Sequence, residues 1–327
     1  MNGERPYVSV IDPVTPAIER VKTILFRPFN LGKWFVIGFC AWLAQLGQQG
    51  GGGGGGPGGG GGGGRGPSGS DLNFEDLVEE AREGLAVARE FVEANLVWII
   101  PLAILVITIG VGFWLLFTWL SSRGRFMFLH CVAENKAEVV VPWHKFSRHG
   151  NSLFGFRIVL GLISFVIVVL GLVAGGSSLI AAANDSDAGR AILTLVIMFL
   201  GVFVVSIPLL IIKKFTSDFV EPIMFLQTAS CTAAWRRFLT VLSVNKARFF
   251  VYLLFQIVIG IVIGVIVLVA SCVTCGCACC LFMIPYIGTV VLLPVLVFKR
   301  SYSLYYLLQY DPAFNVFSPG DSLQRTE

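Results

Sequence analysis

The stretch LVWIIPLAILVITIGVGFWLLFTWL, residues 96–120, runs for twenty-five residues without a charge. A hydrocarbon core about 30 Å thick is crossed by a helix of roughly 17–25 mostly apolar residues, so this stretch reads as a transmembrane helix. Runs 158–183, 191–212, 249–270 and 281–298 meet the same test. A sixth run, 31–47 (LGKWFVIGFCAWLAQLG), is marginal. Its uncharged part is only 34–46, and Lys33 has to snorkel toward water.

The bulk composition agrees with this. Of 327 residues, 55% are hydrophobic and 13% are charged, and the mean hydropathy is +0.79. A soluble domain carries about 25% charged residues because its surface faces water. The expected fold is therefore an all-α integral membrane bundle of six transmembrane helices forming a single membrane domain, residues 1–327. The opening segment, MNGERPYVSVIDPVTPAIER, has neither an h-region nor a cleavage site, so no signal peptide is expected.

Lys and Arg fix the expected orientation. Five lie in the segment up to Lys33, six in 121–157, six in 213–248 and three from Lys299 onward. These twenty fall on one face, and only Arg65, Arg82, Arg89 and Arg190 fall on the other. The acidic residues split ten and ten, leaving the first face ten positive and the second six negative. Six spans with both termini in the cytoplasm satisfy this alternation, and omitting span 31–47 would scramble it. The expected address is the bacterial inner (plasma) membrane.

Residues 47–69 carry seven glycines on each side of Pro57 and read as a flexible exterior linker. An exterior amphipathic helix is expected over 74–95, with Asn73 as N-cap and Asp76 at N3. Phe74, Leu77, Val78, Ala81, Leu85, Ala88 and Val92 follow helical spacing on one face, with glutamates mostly elsewhere. Short cytoplasmic interfacial helices are expected before the odd spans.

The chain repeats itself. MFL occurs at 127–129 and at 224–226, and Trp143-His144-Lys145-Phe146 is echoed by Trp235-Arg236-Arg237-Phe238. The ends of the even spans also rhyme: RGRFMFL, SDFVEPIMFL, KRSYSLYYL. Three parallel pairs of spans, by duplication or by three similar solutions at one interface, account for both patterns.

The run Ser217-Asp218-Phe219-Val220-Glu221-Pro222-Ile223-Met224 with Trp235-Arg236-Arg237-Phe238, and the ending Pro285-Tyr286-Ile287-Gly288, Leu293-Pro294 and Phe298 to Leu304, carry a resemblance. Over roughly residues 120–317 the chain resembles bacterial multi-span proteins of unknown function. These are distantly similar to the membrane domain attached to some glycerophosphodiester phosphodiesterases. The resemblance implies a fold and a membrane address, and it carries over no catalytic residue.

No Asp, Glu, Lys, Arg or His lies inside the six apolar cores. Charge-coupled pumps keep such groups at depth for function, so this class is disfavoured. Gln45 and Gln256 are the conspicuous polar side chains there, each able to hydrogen-bond a neighbouring helix. Gly171/Gly175 and Gly260/Gly264 read as small-residue ridges for close helix packing, and Pro294 is expected to kink the last span. Asp218 and Glu221 are the only acidic residues of 213–248. With Trp235, Arg236 and Arg237 they form either a cytoplasmic-interface polar site, such as a seat for a lipid phosphate, or an ion-paired elbow beside Lys213 and Lys214.

SCVTCGCACC, residues 271–280, packs five of the eight cysteines into nine positions on the exterior side. Cys272, Cys275, Cys277, Cys279 and Cys280 serve there as small residues at a tight turn, as a disulfide or as soft-metal or redox thiols. His144 and His149 have the wrong spacing for one metal-binding face. Nucleophile-elbow, Walker and dinucleotide patterns are absent, and no cofactor or nucleic-acid partner is expected. The expected function is a non-enzymatic scaffold or lipid-interacting protein whose partners are membrane lipids. The alternatives are a permease or channel-like conduit, and a thiol redox or metal-handling protein using the cysteines.

Overall fold

The computed structural model of the protein describes residues 8–46, 90, 93–184, 188–227, 229–274 and 284–317. The Gly-rich segment 47–69, most of the amphipathic segment 74–95, and Cys275, Cys277, Cys279 and Cys280 lie outside the described residues. Among the described residues the chain is helical, without a strand. The helices are α1 (Val14–Leu25), α2 (Leu31–Gln45), α3 (Leu96–Glu134), α4 (Val140–Lys145), α5 (Ser147–Asn184), α6 (Ala188–Phe215), α7 (Glu221–Gln227), α8 (Cys231–Val244), α9 (Lys246–Val273), α10 (Pro285–Val291) and α11 (Leu293–Leu308). One π-helical turn, Thr216–Val220, joins α6 to α7.

Local chemistry sets several boundaries. Asn30 caps α2 by accepting from the Lys33 N–H at 3.3 Å, and Ser230 caps α8 by accepting from the Ala233 N–H at 3.4 Å. Pro285 and Pro294 stand in the first turns of α10 and α11, where their missing N–H costs nothing. The kink expected in the run 281–298 is a one-residue interruption at Leu292, because Pro294 has no N–H with which to continue α10. At the other end of α3, buried Arg20 donates from Nε and Nη2 to the Val132 carbonyl and from Nη2 to that of Ala133. It thereby satisfies carbonyls that the helix itself leaves open.

Leu96–Glu134, Ser147–Gly176, Val196–Gln227 and Lys246–Val273 are each long and apolar enough to cross a membrane, and Leu31–Gln45 is a shorter apolar helix. Their apolar side chains stand open rather than buried in protein, as Trp98 (79% exposed) and Phe199 (71%) do. A helix apolar all round needs an apolar solvent.

The fold divides into two compact units: residues 1–60, 117–158 and 211–327 form the first, and 61–116 and 159–210 the second. In the second unit Gly171 and Gly175 face Val202 and Met198 directly, as a close-packing ridge does. Gly260 and Gly264, in the first unit, differ from their expected role: nothing among the described residues lies within 4 Å of where their side chains would begin. A Gly-x-x-x-Gly spacing is permission for close approach, not a cause of it.

The first unit holds two apolar clusters. One is aromatic, built on Phe215, Phe219, Phe238, Phe249, Tyr252 and Tyr306. Phe219 stacks on Phe238 at 5.2 Å and meets Phe249 edge-on at 5.2 Å. The other packs α2 against α3 through Ile37, Cys40, Leu43, Leu129 and Val132. Gly124 lets these helices touch: a Cβ there would lie 2.7 Å from the Ala44 nitrogen, with Ser121 Oγ donating to the Ala44 carbonyl at 2.7 Å nearby. Backbone cannot yield as a flexible side chain can. Gly124→Leu is expected to cost about 1–3 kcal/mol or more, read as a lower melting temperature in detergent; an unchanged melt would refute this close approach.

Candidate functional site

Three helices meet at one carboxylate. Glu221, 1% exposed, accepts from Arg125 Nη1 at 2.6 Å and from Arg300 Nη2 at 3.0 Å. Arg125 comes from the last third of α3, Glu221 from the start of α7 and Arg300 from the middle of α11. Arg300 Nη1 also donates to the Ser217 carbonyl, one of the groups carried by the π-helical turn. Two guanidinium groups on one carboxylate leave an excess of positive charge around Glu221. Arg157 lies alongside, with Nη1 donating to Ser121 Oγ at 3.1 Å and to Ser122 Oγ at 3.0 Å.

Asp218 faces a different way. Its Oδ2 accepts from the Tyr252 hydroxyl at 2.8 Å and is paired with Lys214 Nζ at 2.9 Å. Gln256 Nε2 donates to the Tyr252 hydroxyl at 3.0 Å, and Lys214 donates to Gln256 Oε1 at 3.4 Å. Asp218, Tyr252, Gln256 and Lys214 therefore close a ring of polar contacts between α6 and α9. In an uninterrupted α-helix, residues three apart share a face. The wider π-helical turn, a feature that often marks functional sites, rotates Asp218 away from Glu221, so each carboxylate finds its own cations.

The residues singled out in the sequence separate here. Asp218 and Glu221 are buried together, but their cationic partners are Lys214, Arg125 and Arg300. Arg236 and Arg237 lie exposed on α8, and Arg237 rests over the Phe314 ring at 5.5 Å. Trp235 packs its ring against Phe156 and Phe238. Cys272 is exposed and forms no disulfide among the described residues. Cys231 is buried, which pushes its thiol up to about 12, with the Glu221 charge adding to the shift. His130 is buried between Phe146 and Phe225, with Nδ1 3.2 Å from Glu134. Among the described residues no group of three or more His, Cys, Asp or Glu is placed to hold a metal ion.

Sequence reasoning missed Arg125, Arg300 and Tyr252. A signal for the first two was present: the rhyming ends RGRFMFL, SDFVEPIMFL and KRSYSLYYL contain Arg125, Glu221 and Arg300. Rhyming ends of this kind are what helices meeting at one level would share. Cys40 and Cys131 were also unforeseen as neighbours, with their sulfurs 3.9 Å apart between α2 and α3.

Among the described residues, fold and site define a helical protein with four helices fit to cross a membrane and a buried ionic cluster at Glu221. Residues 8–288 match a family of unknown function, DUF7544, and the chain belongs to that family. No curated protein and no solved structure matches the chain.

Removing Glu221 alone leaves two buried guanidiniums without a counter-charge. Glu221→Ala is expected to cost about 3–5 kcal/mol, whereas the triple change Arg125→Met, Glu221→Leu, Arg300→Met should cost far less. Denaturant unfolding in micelles compares them, and equal losses would contradict the layer as described. Tyr252→Phe removes one donor to Asp218 and is expected to cost about 1–2 kcal/mol in the same assay.

Proposed function

We propose that the protein is a six-span bacterial plasma-membrane protein with both termini on the cytoplasmic face, acting without catalysis as a scaffold that engages anionic membrane lipids. The observation that carries this reading is the sorting of charge in segment 213–248. Its two acidic residues are buried and paired inside the protein, while Lys213, Arg236, Arg237 and Lys246 stand exposed near bare apolar helix surface. Basic and aromatic residues at the ends of apolar helices suit a headgroup layer. Arg123, stacked over Trp119 at 4.4 Å and Trp143 at 5.0 Å, repeats that chemistry at the end of the first long span.

In this reading α2 and the broken pair α10–α11 supply the fifth and sixth crossings. The twenty-to-four division of Lys and Arg supports the orientation, and the likeness to the membrane domain of some glycerophosphodiester phosphodiesterases agrees with the address. Charges satisfied by protein partners in a packed interior support a structural role for the ionic layer rather than a reactive one.

The topology is tested with a membrane-impermeant maleimide on whole cells. A variant keeping only Cys272, with the other cysteines changed to alanine, is expected to label from outside. A variant whose sole cysteine comes from Val140→Cys, at an exposed position of α4, is expected to label only after the cells are opened. The reverse pattern, or loss of the protein from alkali-washed membranes, would overturn the reading.

A further inference from the structure

An open groove of about 330 Å³ lies where α6, α8 and α9 meet. Its walls include Phe215, Leu239, Leu242, Phe249 and Leu253, and its polar members are Ser243 and Lys246. Leu239 is 49% exposed and Phe250, beside it, 63%. Apolar surface of this extent facing water is costly, and burial is worth about 25 cal/mol per Å². At the end of a long apolar helix the covering medium is acyl chain.

Charge decides which lipid. Lys246 is exposed and makes no ion pair among the described residues. The only acidic side chains of this segment, Asp218 and Glu221, are buried and neutralised by Lys214, Arg125 and Arg300. No carboxylate of 213–248 therefore remains at the surface to balance Lys246, Arg236 and Lys213. A zwitterionic headgroup brings no net compensating charge, and a singly anionic phosphodiester does.

We infer that this groove is a binding site for an anionic phospholipid, with an acyl segment against Leu239, Leu242 and Leu253 and the headgroup phosphate at Lys246. The inference rests on the membrane-embedded reading above and gives it a place and a lipid class. With both carboxylates of 213–248 withdrawn from the surface, the charged side chain that lines the groove is the cation Lys246.

The test titrates the purified full-length protein with phosphatidylglycerol and, separately, phosphatidylcholine, counting bound lipids by native mass spectrometry. Melting temperature verifies the fold of each variant. Wild type is expected to prefer phosphatidylglycerol. Lys246→Glu should weaken phosphatidylglycerol roughly five- to tenfold and leave phosphatidylcholine nearly unchanged, and Lys246→Arg should restore the preference. Leu239→Asn should weaken both lipids equally, because it alters the acyl wall and not the charge. Arg148→Glu, an exposed basic position on α5, should change neither. Unchanged phosphatidylglycerol binding in Lys246→Glu would overturn the site, as would an equal loss in Arg148→Glu, which would mark nonspecific attraction. A folded protein that stays in alkali-washed membranes yet shows no preference refutes the site alone; a protein absent from those membranes refutes the membrane reading beneath it.

Discussion

A carboxylate taken out of water needs cations close by, and Glu221 obtains them from two other helices. That requirement places Arg125 of α3, Glu221 of α7 and Arg300 of α11 at one level. Burial of charge is expensive, and the attraction repays it only when geometry and additional hydrogen bonds are complete. Arg300 meets this condition with a second donor on the Ser217 carbonyl, which ties the clamp to the π-helical turn. Such a cluster adds less net stability than an apolar core of equal volume would. Its stronger effect is on arrangement, since a slip of one helix would strand a charge.

The aromatic cluster surrounds the same turn and shares its geometry. Phe219 lies between Asp218 and Glu221 in sequence, and its ring meets Phe238, Phe249 and Tyr252 within 5.2 Å. Tyr252 belongs to both systems, packing its ring into the cluster and donating its hydroxyl to Asp218. The segment before α1 is tied in by the same helix that carries Arg300: the Tyr302 hydroxyl donates to the Val10 carbonyl at 2.8 Å, and Gln309 bonds the Ser9 backbone in both directions. Polar and aromatic interactions thus hold the first unit together where the long helices turn.

The candidate site was half legible. Asp218 and Glu221 stood out because acidic residues are scarce beside a long apolar run, and that scarcity is visible in one dimension. Lys214, near in sequence, pairs with Asp218, whereas the cations of Glu221, Arg125 and Arg300, are 96 and 79 residues away. Nearness along the chain served Asp218 but not Glu221, whose partners come from other helices while Arg236 and Arg237 lie exposed on α8. The glycine ridges carry a parallel lesson. Gly171 and Gly175 meet a neighbour while Gly260 and Gly264 do not, although their spacing is the same.

What the sequence by itself determined is that the chain carries long apolar helices fit to cross a membrane, because hydropathy and length are sums over consecutive residues. It also determined the sorting of Lys and Arg between connections, since that too is counted along the chain. Only the tertiary structure decided which charges are buried, which cations hold them, where the last span breaks and which apolar surface is left open beside Lys246. Each of these depends on the distance between residues far apart in the chain, and that distance is set by how the helices pack.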